Sequence, residues 1–439
     1  MNHQHIVILS LDALGSKDFR KLAKTPPLQT LMERGTYCDQ VQSVCPSLTY
    51  PAHTSIVTGK WPRNHGIINN TKVQPDRDQS EWYWYRRDIH GQTLWDIARA
   101  QKKTVASLLW PVTGHARISY NLPEIFPVRA YQNQVLQVLS AGSAAYCLEL
   151  NKKFKHLRRG IQQPELDHFV HQSALHTFRT RKPYLSLVHY VELDAMRHQH
   201  GYDSPEAKEA LAHHEERLHD WIHCLKQEGV FEKTVMIVLG DHDQKPTQTV
   251  LRPNVLLHQL GLITLIENDI WEWKAYFKSC DGAGYFYVDP RYPEVIPVLR
   301  DNLTVLTAYE ENGIQEFIDG AHAGARGADP QCAFMLFAKE GTYFDESPTG
   351  AFRESTQDQE DLYKSCHGFD PCLPDYTTAF LMSGPGIHAG RRVPGMALVD
   401  EGPTIAKLMG SSLWGVDGRI RYEFLKGPIE DEPTGDAVR

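Results

Sequence analysis

The chain has 439 residues, 41% of them hydrophobic and 23% charged, with a formal charge of −8. That length accommodates a large core, with or without an inserted region, and excludes a small disulfide-stapled scaffold. The negative balance speaks against an electrostatic grip on a nucleic-acid duplex or an anionic membrane, although a local positive centre such as a metal could still hold a small anion.

The N-terminus leads directly into Ile6-Val7-Ile8-Leu9, with no basic stretch ahead of a long apolar run. No secretory leader is expected, and no run approaches the ~18 apolar residues of a membrane span. If the chain is complete, the cytoplasm is its expected location. The first strand is expected at His5–Leu11, a short apolar run that suits a buried parallel strand. Similar runs recur at Tyr184–Val191, Thr234–Leu239 and Ala379–Met382. A helical pattern covers Thr49 to Gly59, with Gly59 as the expected C-cap. A second lies around Val135–Lys153, and the longest is Pro205–Gln227. The alternation predicts an α/β protein with a central, mainly parallel sheet flanked by helices. Residues 245–360 hold several short candidate elements and the polar segment Asp345–Asp361, and the tail from Gly427 is expected to be frayed.

Eight cysteines show no CxxC pair, so free thiols are expected, with a Cys366–Cys372 bridge as the open alternative. Most of the 22 histidines are ordinary surface or core residues, and only those spaced with carboxylates stand out. Three strand candidates run into aspartates: Leu11 into Asp12, Val191-Glu192-Leu193 into Asp194, and Leu239-Gly240 into Asp241. Ligands of open α/β sheets bind beyond the carboxyl ends of the strands, so these residues can converge despite their separation. Asp194 and His198 meet if the chain turns helically between them, a pairing that suits Zn²⁺ or Mn²⁺. Asp241 and His242 could both reach one ion where the chain bends. Taken singly, each motif is weak, and Asp12 could simply cap a helix. Thr49 stands at a helix start, where the local field favours an oxyanion, although capping alone would explain it.

In combination these residues resemble the alkaline phosphatase superfamily, and most closely its nucleotide pyrophosphatase/phosphodiesterase branch. The resemblance rests on six ordered blocks: Ser10-Leu11-Asp12, Thr49-Tyr50-Pro51-Ala52-His53 through Gly59, His65 to Asn70, Asp194 to Gly201, Gly240-Asp241-His242, and His367 to Pro371. It implies a single alkaline-phosphatase-like catalytic domain over 1–439, with 245–360 inserted as a small cap at the active-site edge. It also implies two divalent metal ions, zinc ahead of manganese. One would sit on Asp12, Asp241, His242 and Thr49, the other on Asp194, His198 and His367. Thr49 would be the nucleophile, passing through a covalent phospho-threonine. Asn70, with the backbone N–H after Thr49, would stabilise the phosphoryl oxygens, and Tyr50 would bind substrate. Trp82-Tyr83-Trp84-Tyr85 could line the same rim or simply pack.

The implied substrate is a small phosphoric ester, a nucleotide among the options, and the oligomeric state is left open. The chain departs from the family pattern at Ala52, where Asn is usual, and at Asp243-Gln244, where Gly-Met is usual. A sulfatase is disfavoured, because its nucleophile position needs Cys or Ser for conversion to an aldehyde. A phosphonate hydrolase of the phosphonoacetate type, with Lys72 reaching the substrate carboxylate, is the main alternative, followed by a phosphomonoesterase.

Overall fold

The computed structural model describes residues 3–427 except 78, 130 and 358. The tail expected to fray falls almost entirely outside them. A nine-stranded sheet organises the chain. Across it the strands run Arg391–Arg392, Gly35–Gln42, Thr378–Ser383, Thr234–Leu239, His5–Leu11, Leu185–Tyr190, Val105–Leu108 and Tyr120–Leu122, and Met396–Ala397 also pairs with Gly35–Gln42. Strand His5–Leu11 lies between two parallel neighbours, with Ile6 opposite both Leu185 and Val235. All seven of its residues are buried. Ile6 and Ile8 face one core, and Val7, Leu9 and Leu11 face the other, as a period of two requires. Helices cover both faces, Thr49–Thr58 and Glu401–Leu408 on one and Glu165–Arg181 and Pro205–Gln227 on the other.

One strand differs from expectation. Thr378–Ser383 runs antiparallel to both Thr234–Leu239 and Gly35–Gln42. Its apolar run reads as a parallel strand because it too is buried on both faces, and burial rather than direction dictates that composition. The helical stretch around Val135–Lys153 is two helices, Gln134–Ala141 and Ala144–Phe154. Gly142 breaks it in an extended conformation, and Ser143 starts the second helix.

Residues beyond Lys245 build two four-stranded sheets and a hairpin of Ile263–Ile266 with Asp269–Trp273. Ala275–Cys280, Ala283–Val288, Phe334–Ala338 and Ile314–Asp319 form an antiparallel one, and Lys245–Leu251 pairs with Gly341–Phe344, Arg353–Ser355 and Ser365–Cys366. They surround an apolar core of their own that includes Phe277, Phe286 and Phe344. The cysteines are all free, Cys366 buried and Cys372 exposed. Among the described residues no helix is long and apolar enough to cross a membrane.

Candidate active site

The three adjacent parallel strands His5–Leu11, Leu185–Tyr190 and Thr234–Leu239 end together, and that shared edge places the three aspartates. Asp12 follows the first directly, its N–H donating to Tyr190 O at 2.9 Å. Asp241 follows the third after Gly240. Asp194 sits in the first turn of helix Glu192–His200, which puts His198 one turn on, with its Nε2 3.4 Å from Asp194 Oδ1. His367 comes from the far side. It follows Ser365–Cys366, and its Nε2 lies 3.7 Å from Asp194 Oδ1. Gly368 has φ +80, and a Cβ there would lie 1.7 Å from Cys280 O, so only glycine allows this turn.

The candidate residues therefore gather into two sets. Asp194, His198 and His367 place one ligand atom each within 4.8 Å of one another, as do Asp12, Asp241 and His242. The sets adjoin, the rings of His242 and His367 being 4.1 Å apart. Asp12 uses Oδ2 to meet His189 Nε2 at 3.0 Å, and Asp241 uses Oδ1 to accept from Ala13 N–H at 3.2 Å. Their other oxygens, Asp12 Oδ1 and Asp241 Oδ2, are buried without a hydrogen-bond partner. Both face His242 Nε2, at 3.4 and 3.1 Å. Burial pushes the Asp12 and Asp241 carboxyls well up, and mutual repulsion among the carboxylates adds to it. Burial holds the His242 imidazole at about 3, hence neutral. Burial works to raise Asp194 too, but His198 and His367 outweigh it and hold that carboxyl low. Orphaned carboxylate oxygens beside the neutral His242 imidazole form a donor set that fits a divalent cation.

Thr49 opens helix Thr49–Thr58. It is not the N-cap, a position that Leu48 takes, and its hydroxyl meets His242 Nε2 at 3.2 Å. Gly59 ends the helix in the left-handed conformation, as expected. His53, one turn on, donates from Nδ1 to Thr49 O and accepts from Ser10 Oγ at Nε2, both at 2.8 Å. A cavity of about 500 Å³ opens at this point, lined by Asp12, Thr49, Tyr50, Asn70, Asp194, His198 and His367. Asp241 and His242 are fully buried beneath it.

Asn70 Oδ1 accepts the Tyr50 N–H at 2.9 Å. The backbone donor expected to serve the phosphoryl group is thus spent on Asn70, whose own NH₂ is left for a ligand. Tyr50 is 1% exposed and tilts against Trp82 at 5.1 Å between ring centroids. Of the aromatic run, only Trp82 reaches the cavity. Trp84 packs on Phe126, Tyr85 stacks on His115, and Tyr83 lies by Lys72. Lys72 itself pairs with Asp88 at 3.4 Å and does not line the cavity.

Several contributors escaped the sequence reading. His189 is buried in strand Leu185–Tyr190 and bridges Asp12 to Leu109 O. Its only sequence signal is a polar residue within an apolar run. Gln244 donates to Asp194 at 2.6 Å. Glu124 and Asp281 line the cavity, and burial raises each to about 7.

A mainly parallel sheet with paired ligand sets beyond its strand ends defines an alkaline-phosphatase-like α/β protein. The fold agrees with solved structures of ectonucleotide pyrophosphatase/phosphodiesterase 5. The murine protein gives a TM-score of 0.65 at 17% identity, covering 94% of this chain and 97% of that one. The human protein gives 0.65 at 18%, with the same coverage. The chain belongs to the type I phosphodiesterase/nucleotide pyrophosphatase family, whose profile matches residues 6–370. Among curated relatives, human family member 5 is 21% identical over 422 residues, 93% of this chain and 75% of that protein. Human bis(5'-adenosyl)-triphosphatase ENPP4 is 23% identical over 427 residues, 92% and 78%. Family member 1 of the rat is 25% identical over 230 residues, and the match spans only 21% of its length.

Proposed function

We propose that this chain hydrolyses phosphodiesters through Thr49, with one divalent cation held by Asp12, Asp241, His242 and Thr49 and a second by Asp194, His198 and His367. The observation that carries the reading is the place of the Thr49 hydroxyl. It opens a buried helix on the cavity wall, 3.2 Å from His242 Nε2, at the junction of the two ligand sets. Imidazole and carboxylate donors suit Zn²⁺ first and Mn²⁺ second. Bound there, the cations would favour the threonine alkoxide and neutralise charge on the phosphoryl oxygens.

Thr49 Oγ attacks phosphorus, the bond to one substituent breaks, and that alcohol leaves with a proton. Water then attacks the threonine-linked phosphoryl group, the P–Oγ bond breaks, and a phosphate monoester departs from the restored hydroxyl. Asn70 offers its NH₂ to a non-bridging oxygen, a contact typically worth ~10²–10³ in rate. Tyr50 and Trp82 supply an aromatic wall for a substituent. Residues 245–360 serve as a cap, since Ser279–Asp281 and Tyr343–Glu346 line the cavity.

A nucleotide-bearing substrate is supported by two relatives. ENPP4 is named a bis(5'-adenosyl)-triphosphatase, and murine member 5 has been solved in an inactive form in complex with AMP. A phosphonoacetate hydrolase or a monoesterase would want a cationic side chain for the second negative charge. Among the described residues lining the cavity there is no Lys or Arg, which favours the diester.

With Zn²⁺ present, the purified chain is expected to cleave bis(p-nitrophenyl) phosphate, and Thr49→Ala to lose at least ~10³-fold in kcat. Full activity in that variant would sink the mechanism, and turnover of phosphonoacetate but of no diester would replace the substrate class.

A further inference from the structure

Asp243 and Gln244 directly follow His242, and both are buried in the ligand framework. The Gln244 side chain meets two acceptors of one residue. Its Nε2 lies 2.6 Å from Asp194 Oδ1 and 3.2 Å from Asp194 O. Two acceptors fix which end of the amide faces Asp194, because an amide oxygen there would be repelled. The oxygen held is the one that faces His198 and His367. Gln244 thus sets the torsion of a carboxylate belonging to one ligand set while its backbone is continuous with His242 of the other.

The backbone at this point is itself pinned. Asp243 Oδ1 accepts from Gln244 N–H at 2.8 Å and from Tyr202 Oη–H at 3.1 Å. Arg197, which directly precedes His198, lies 3.7 Å from Asp243 Oδ1 and lays its guanidinium 3.9 Å over the Tyr202 ring. It also donates to Asp18 Oδ2 at 2.5 Å, Ala13 O at 2.7 Å and Tyr202 O at 3.4 Å. Ala13 follows Asp12 in a left-handed conformation, φ 60, which a non-glycine residue keeps only when its surroundings hold it there. Arg197 therefore ties the chain after Asp12, the chain before His198 and the chain after His242 into one buried cluster.

We propose that Gln244, anchored by Asp243 and Arg197, is a positioning residue that presets the Asp194 carboxylate as a metal ligand. The proposal rests on the two-cation reading above. Orienting partners of metal ligands typically contribute 10–100-fold in metal affinity.

The test is Zn²⁺ binding by the purified full chain in competition with a chromophoric chelator, alongside melting of the metal-free protein. The wild type is expected to bind two equivalents. Gln244→Met keeps the volume and removes the donor. It is expected to weaken one equivalent by ~10–100-fold, leave the other unchanged and melt as the wild type does without metal. Asp243→Asn keeps both acceptor contacts but drops the charge facing Arg197. It is expected to weaken the same equivalent by a smaller factor, and it decides the matter if Gln244→Met fails to fold. Wild-type affinity at both equivalents in the folded variants would overturn the proposal and leave the functional reading standing. Fewer than two equivalents in the wild type would overturn both.

Discussion

His65 shows how a single buried imidazole makes stability depend on pH. It is fully buried, its Nδ1 accepts the Ile67 N–H at 3.1 Å, and its Nε2 faces Ser55 Oγ at 2.9 Å. The accepting nitrogen leaves no room for a second proton, and burial lowers the group from 6.5 to about 3. The unfolded chain binds that proton from about pH 6.5 downwards while the folded chain does not. The stability tied to His65 is therefore complete above pH 6.5 and is lost as pH falls towards 3, by ~1.4 kcal/mol per pH unit once below the upper value. His65→Asn in metal-free protein should flatten the fall in urea-unfolding stability between pH 6 and pH 4 by about one proton. An unchanged slope would show that other groups carry it. His189 cannot be picked out of 22 histidines for a reason of the same kind, and the block that contains His53 gives it no role. Their roles come from partners 43 and 177 residues away, Ser10 and Asp12, and no local spacing announces them.

Helix Glu192–His200 carries Asp194 and His198, and it is held from outside by charge. Asp167, in helix Glu165–Arg181, accepts the N–H groups of Val191 and Glu192 at 3.0 and 3.1 Å. Arg217, in helix Pro205–Gln227, lies 3.2 Å from Asp167 and also bonds Glu192. Three helices are thus joined by one buried ion network, whose disruption leaves a desolvated arginine short of a partner. Asp167→Ala should cost ~3–5 kcal/mol of stability. In the urea midpoint, a loss below ~1 kcal/mol would mean that water replaces the carboxylate. The elements themselves are largely readable from sequence, because Pro205–Gln227 has a helical period and the strand runs are apolar. What composition cannot give is direction, as Thr378–Ser383 shows, or the interruption of a helical pattern at Gly142. The same holds for side-chain choice within a readable motif: Asp243 and Gln244 stand in plain view after His242, yet their contacts with Arg197 and Asp194 exist only in three dimensions.

At the scale of the molecule, the two ligand sets join segments from Asp12 to His367. Cations that bind only the folded arrangement stabilise it by mass action, by ~4 kcal/mol for a site loaded at a thousand times its dissociation constant. Chelation should therefore lower the melting temperature by several degrees, with recovery on adding Zn²⁺. Because Thr49 would supply only one donor of several, Thr49→Ala should keep most of that shift while losing turnover. A melting temperature indifferent to chelator would argue that neither set holds a cation.

The position of Thr378–Ser383 between Thr234–Leu239 and Gly35–Gln42 also bears on how the chain is made. Strand His5–Leu11 leaves the ribosome ahead of its neighbour Leu185–Tyr190, which follows only about 10–40 s later at ordinary elongation rates of ~5–20 residues per second. Thr234–Leu239 then presents an open edge of apolar strand until residues 378–383 arrive. Until residues 378–383 have been made the nascent chain keeps an unpaired sheet edge, and the two candidate ligand sets are both complete only once translation has passed His367. On the two-cation reading, loading with metal would therefore be a late event in the life of each molecule.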